Sequence, residues 1–312
     1  MSDKTNKFKL IIDCDTGVDD TEALLLALYD PRIDIKLITT IGGNRPIEKI
    51  TRNTLHVLEK FGFLDIPVSE GSNNPINPNR PRKDASYQHL EEGMGDYKPT
   101  APTILKCIDG EACDNMYKVI KENPHEIIVV LNGPQTNFAM MLQKYPDAKD
   151  LVKKVVFMGG APYGHKKFKK HISFNISYDP EAVNIVLNSG IKDIIMIPSE
   201  MGRKYAHHTY QEVMDFNNYN HILKFLHELY YGRWEIGYDD KRVSNNDTVP
   251  IMEFLKPRWF TKSKGCITVD TEDSPGKMLI DFKSKSPNAT VVMKVKGKKI
   301  NKYILNLLKK QN

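Results

Sequence analysis

Sulfur chemistry is nearly missing from this sequence. Of 312 residues only four are cysteines, Cys14, Cys107, Cys113 and Cys266, and none stands in a CxxC pair. That excludes a disulfide framework and points to a reduced, cytoplasmic setting. Long apolar runs are missing too. No segment approaches the roughly 20 residues needed to cross a bilayer. The first residues, Met1 to Lys7, are polar, with no signal core behind them. No membrane partner is expected. Charge of one sign is also modest. The net +6 gathers at Lys166-Lys167-Phe168-Lys169-Lys170 and between Lys294 and Lys310, and no nucleic-acid motif accompanies it. Neither an internal repeat nor a linker divides the chain, so one domain over 1–312 is expected.

What is present is an ordinary globular balance, 40% hydrophobic and 27% charged, on a chain long enough for a large core. One stretch stands out. Asp13-Cys14-Asp15-Thr16-Gly17-Val18-Asp19-Asp20 places four carboxylates in eight residues, between the apolar run Phe8 to Ile12 and the helical run Thr21 to Leu28. The order reads as buried strand, sharp turn, helix start. It puts the acids at the carboxyl end of a strand, where open α/β sheets bind ligands. Helix capping accounts for Asp19 and Asp20 but not for Asp13 and Asp15. So many like charges call for a cation, and all-oxygen ligation suits a hard ion such as Ca²⁺ or Mg²⁺.

Strand and helix patterns alternate along the chain. Strands are expected at Leu10 to Ile12, Ile33 to Ile41, Pro67-Val68, Ile127 to Leu131, Val155 to Met158 and Ile194 to Ile197. Helices are expected at Thr21 to Tyr29, Pro46 to Phe61, Glu111 to Lys121, Asn137 to Gln143, Asp179 to Leu187 and Asn301 to Leu308. Glu212 to Tyr231 reads as one long amphipathic helical region, and Cys266 to Val295 as a hairpin. Gly71 to Pro102 is rich in Pro, Asn and Gly, the mark of a functional or mobile loop. The fold class is therefore α/β: a single domain with a mostly parallel central sheet flanked by helices, and an active site at the carboxyl ends of the strands.

Several of those strand ends deliver polar residues. Asn44, Asn132, Asn175 with Asp179, and Asp247 would all converge with the aspartates on one edge of a parallel sheet. Each asparagine alone suits a turn. Their convergence is the stronger signal.

Here the chain resembles the inosine–uridine-preferring nucleoside hydrolases. The resemblance rests on Asp13-x-Asp15-x-Gly17-x-Asp19-Asp20, Thr39-Thr40-Ile41-Gly42-Gly43-Asn44, Thr51-Arg52-Asn53 and Gly93-Met94-Gly95. It continues through Asn132-Gly133-Pro134-Gln135-Thr136-Asn137, Met158-Gly159-Gly160 and Phe174-Asn175-x-x-x-Asp179-Pro180-Glu181-Ala182. These motifs run in order from about Lys9 to Pro257. The resemblance implies Ca²⁺-dependent hydrolysis of the N-glycosidic bond of ribonucleosides, giving free base and ribose. It implies a Ca²⁺ held by Asp15, Asp20, Asp247 and the Asn132 carbonyl, with Asp15 as general base for the attacking water. Asp19 and Asn44 would hold the ribose hydroxyls, and Asn175 the sugar from its other side. A homodimer or homotetramer is the family's common assembly.

Three positions depart from the pattern. Asn246 stands where many members carry a histidine that protonates the leaving base. His89 matches a histidine of the family's mobile loop, and Tyr231, Trp234 and Tyr238 are further candidates for base contact. Ser173 replaces a glutamate that meets the ribose 5′-hydroxyl, and Lys167 replaces a family asparagine serving the same end. Removing a carboxylate and adding lysine is the change that admits a phosphate. Two alternatives therefore stay open: a nucleoside 5′-monophosphate hydrolase, or a non-catalytic nucleoside- or ribose-binding protein. Purine or pyrimidine preference is not legible.

Overall fold

The computed structural model describes residues 7–161, 172–235 and 242–311, with the backbone alone at 232–235. The chain opens with strand β1 (Phe8–Cys14), helix α1 (Val18–Tyr29), β2 (Ile33–Thr40), α2 (Ile47–Lys60) and β3 (Val68–Glu70). A single turn α3 (Ser86–His89), α4 (Ala112–Glu122), β4 (Ile127–Leu131), α5 (Thr136–Lys144), α6 (Ala148–Leu151) and β5 (Lys154–Met158) follow. Next come α7 (Phe174–Tyr178), α8 (Pro180–Leu187), β6 (Ile194–Ile197), α9 (Glu200–Tyr205) and β7 (His207–Thr209). After them lie α10 (Tyr210–Phe216), α11 (His221–Glu235), β8 (Arg242–Ser244) and α12 (Thr248–Leu255). Strands β9 (Phe260–Val269), β10 (Met278–Asp281) and β11 (Ala289–Val295) lead into the last helix, α13 (Gly297–Leu308).

One sheet carries nine strands in the order β10-β9-β11-β6-β5-β4-β1-β2-β3. From β11 to β3 every pairing is parallel, while β9 runs antiparallel to both β10 and β11. The chain steps outward from β1 through β2 to β3, then returns to place β4 on the other side of β1. The connections after β1 and β4 thus leave in opposite directions and open a crevice at their carboxyl ends.

Period-two alternation sorts the side chains of β1. Leu10, Ile12 and Cys14 face the core built with α1, α11, α12 and α13, and Ile11 faces the one built with α4, α5 and α8. Asp13 follows Ile11 in that alternation. Helix α1 is buried at every position from Val18 to Ala27, the behaviour of a helix enclosed on all sides.

Two expectations need correction. The expected single helical region from Glu212 to Tyr231 is two helices, broken at Asn217 to Asn220. Asn220 accepts from Leu223 N through Oδ1 and donates Nδ2 to the carbonyls of Leu308 and Gln311. A side chain that satisfies backbone groups this way starts a helix instead of continuing one. The carboxyl-terminal strands are more than a hairpin, because β9 begins at Phe260 and β11 joins β6 to extend the main sheet. No helix among the described residues is long and apolar enough to cross a membrane.

Candidate functional site

Asp13, the one acid inside β1, is turned to structural use. Its register partner on β2 is Thr39, whose hydroxyl donates to Oδ1 at 2.6 Å, and Asn137 of α5 donates to the same oxygen at 2.8 Å. Oδ2 has no hydrogen-bond partner. Burial pushes this carboxyl up to about 7 despite the two donors.

Asp15 lies in the turn beyond the strand, wedged between two loops. A Cβ on Gly43 would stand 2.2 Å from its Oδ2, and one on Gly133 would stand 2.9 Å from its Oδ1. Only glycine lets both backbones close on the carboxylate. Asn44 clamps the turn: its N–H donates to Asp15 Oδ2 at 2.8 Å and its amide to the Asp15 carbonyl at 2.9 Å. Burial, then the charge of Asp20, holds Asp15 well above the usual carboxylate range.

Asp19 and Asp20 occupy the first turn of α1. Gly17 N donates to Asp20 Oδ2 at 3.0 Å, and the Asn44 amide approaches the same oxygen at 3.3 Å. The capping account of Asp20 is therefore sound as far as one oxygen goes. The other, Oδ1, is buried and has no hydrogen-bond partner. Asp247, just before α12, brings the third acid. Carboxylate oxygens of Asp19, Asp20 and Asp247 all lie within 4.8 Å of one another, and all three residues are buried. Burial, then Asp19, pushes Asp20 up to about 7.

Asn132 ties the far side of the crevice to this group. It follows β4, its amide donates to the Asp247 carbonyl at 3.2 Å, and its own carbonyl accepts from the Asn175 amide. Its Oδ1 is a further buried oxygen without a hydrogen-bond partner. Unsatisfied buried oxygens beside three converging carboxylates form an all-oxygen donor set that fits a hard divalent cation.

His89 closes the crevice from α3. It is 3% exposed, and Val18 N donates to its Nδ1 at 3.4 Å, which assigns the ring proton to Nε2. A Cβ on Gly17 would stand 2.4 Å from that Nδ1, so the ring lies flush on the start of α1.

Asp15, Asp19, Asp20, Asn44, His89, Asn132, Asn175 and Asp247 are thus all buried at one edge of the sheet. Of the expected cation ligands, Asp20 and Asp247 share the tight acidic cluster, its third member being Asp19. Asp15 sits beside that cluster, against Asn44. Ser173 is engaged elsewhere: its Oγ accepts from Gly160 N at 2.6 Å and fixes the turn after β5. Asn246 packs under α9, where a Cβ on Gly202 would stand 2.0 Å from its Oδ1. Tyr231 is 37% exposed on α11. Lys167 and Tyr238, and the side chain of Trp234, lie outside the described residues.

Sequence reasoning missed a buried polar group behind the acids, formed by Glu22, His208 and Tyr230. A signal was available. Glu22 is the one charge beyond the first turn of a helix otherwise apolar and buried all round.

Comparison with known proteins agrees with this geometry. Residues 10–302 match the sequence profile described as inosine-uridine preferring nucleoside hydrolase. The non-specific ribonucleoside hydrolase RihC of Salmonella paratyphi A is 32% identical, over 94% of this chain and 95% of that protein. A solved plant nucleoside hydrolase superposes with a TM-score of 0.90 at 26% identity, covering 97% of this chain and 99% of its own. The purine-preferring ribonucleoside hydrolase of Gardnerella vaginalis gives 0.88 at 26%, covering 96% and 98%. With its strand order, its acidic crevice and these relatives in agreement, the chain belongs to the inosine–uridine-preferring nucleoside hydrolase family.

Proposed function

We propose that this chain hydrolyses the N-glycosidic bond of ribonucleosides, releasing free base and ribose, with a divalent cation, Ca²⁺, held in the crevice. The observation that carries the reading is the meeting of Asp19, Asp20 and Asp247 within 4.8 Å in a buried site of a nucleoside hydrolase chain. Bound there, a divalent cation supplies charge neutralisation and a lowered pKa for water.

The chain's own groups account for the rest. Asp15 is the general base, because its carboxylate is fixed by Asn44 and by two glycine backbones beside the acidic cluster. Breaking the N-glycosidic bond develops positive charge on the sugar, which a floor of carboxylates stabilises. Asp19, Asn44 and Asn175 line that floor and suit the ribose hydroxyls. Asn246 has no proton of useful acidity, so the leaving base takes its proton elsewhere. His89, with Nε2 protonated over the start of α1, is the group the geometry supports for that task or for base contact.

Base release from a panel of nucleosides and their 5′-monophosphates tests the reading, run with Ca²⁺ and with chelator. Cleavage of nucleosides that chelator abolishes and Ca²⁺ restores is expected. No base release from any nucleoside would overturn it. Preference for the monophosphates would move the 5′ end to an anion-binding role.

A further inference from the structure

Glu22 lies on α1 one turn beyond Asp19, and its side chain is fully buried, as is that of His208. His208 Nε2 stands 3.0 Å from both Glu22 oxygens, and the Tyr230 hydroxyl donates to Oε2 at 2.5 Å. Burial opposes charge on the imidazole, but the Glu22 carboxylate outweighs it and raises the His208 pKa. A leucine would fill the place of Glu22 without any charge to compensate.

The pair joins two parts of the chain that are far apart in sequence. His208 is in β7, which pairs with β8 in the register His207↔Ser244 and His208↔Val243. Beyond β8, Asn245 donates its N–H to Ala206 O at 3.0 Å, and its amide lies 3.4 Å from His208 Nε2. Asp247 is two residues further on. The same ion pair therefore touches the helix that carries Asp19 and Asp20 and the turn that carries Asp247.

Energetics narrows its purpose. Desolvation offsets most of the attraction in a buried ion pair, so apolar replacements of similar volume are often neutral or stabilising. What such a pair adds is direction, since charge and hydrogen bonds fix one alignment where packed methyls allow several. We infer that Glu22 and His208, with Tyr230, are positioning residues that lock α1 against the β7–β8 arm and so hold the acidic cluster in register for its cation. This inference rests on the cation reading given above.

The test compares the whole protein with the double variant Glu22→Leu/His208→Leu by thermal unfolding, calorimetric Ca²⁺ titration, and kcat and KM for a cleaved nucleoside. An unfolding temperature close to that of the unaltered protein is expected. Ca²⁺ affinity should fall by about 10–100-fold, as for lost support around a metal site. His208→Gln keeps an N–H for Glu22 and should recover most of that loss. A double variant with unchanged Ca²⁺ affinity and kcat overturns the inference. Should the double variant not fold, the imidazole ¹⁵N signals of the unaltered protein decide, with His208 assigned from His208→Gln. Its resonance should move on Ca²⁺ addition, and a fixed resonance overturns the inference. Failure of the unaltered protein to take up Ca²⁺ at all overturns the cation reading, and this inference with it, and is distinguishable from failure of the pair alone.

Discussion

Acidic residues on the two sides of the crevice live under opposite rules. On the rim, Lys49 holds Glu91 below its ordinary range, and Arg52 does the same for Glu92. Arg45 adds contacts to Asp84 and Glu91, so this loop, which includes α3 with His89, is pinned acid by acid to fixed cations. On the floor the shifts run upward. Asp15 and Asp20 receive hydrogen bonds from N–H groups of Gly17 and Asn44, but burial and the neighbouring acids outweigh them. Side-chain cations satisfy the rim permanently. On the floor, burial and like charges raise Asp15 and Asp20, an imbalance that a bound cation would relieve.

The sharpest way to break this contrast is Asp15→Asn. Losing a general base should lower kcat by about 10²–10⁴-fold. The variant should also unfold at a higher temperature in chelator, because a buried charge among like charges has gone. Full activity with unchanged thermal stability would remove Asp15 from the role.

His89→Gln comes next. If the ring protonates the leaving base, kcat should drop by about 10²-fold or more, the low end for general acid catalysis. Nucleosides with good leaving groups should lose least, and an equal loss across leaving groups would reduce His89 to base contact.

Chelator and pH sharpen the comparison from the floor's side. Asp13 and Asp20 are raised from 3.8 to about 7, so between those values the unfolded chain releases protons that the native chain keeps. Stability in chelator should therefore fall as pH rises through that window. Saturating Ca²⁺ should offset the Asp20 part of the fall and contribute about 2.7 kcal/mol at a hundredfold excess over Kd. Asp13, outside the acidic cluster, should leave a residual slope. Unfolding temperatures measured across pH with and without Ca²⁺ check the sign, and stability rising with pH in chelator would contradict it.

The smallest effect belongs to the rim. Arg52→Ala removes a partly exposed pair with Glu92 and should reduce stability by about 0.2–1 kcal/mol in urea titration. Ca²⁺ affinity should not change. A large loss of affinity would mean that rim and floor are one electrostatic unit.

Much of this was readable from residues alone. The aspartate run at the end of an apolar strand told of both a parallel sheet and a polar edge, although Asp13 itself lies buried inside β1. The asparagines at later strand ends followed from the same logic. Other features were out of reach. No local pattern reveals that Asp13 turns toward Asn137, since that depends on which neighbour the alternation of β1 presents to α5. The break at 217–220 did leave a mark, three asparagines in four residues, but the amphipathic periodicity on both sides outweighed it. Glu22 gave a local hint, but its partner His208 comes from a strand of three residues whose place is set by its pairing with β8.

The return of β4 to the side of β1 opposite β2 has a consequence for synthesis. The groups that meet in the crevice come from both halves of the sheet and from the turn before α12, from Asp15 at one extreme to Asp247 at the other. A nascent chain emerging from the ribosome carries its aspartate motif long before it carries the residues that complete the cluster. No short fragment holds the cluster: a product that stops after α1 carries Asp19 and Asp20 without Asp247, and only a chain extended past β8 brings all three together.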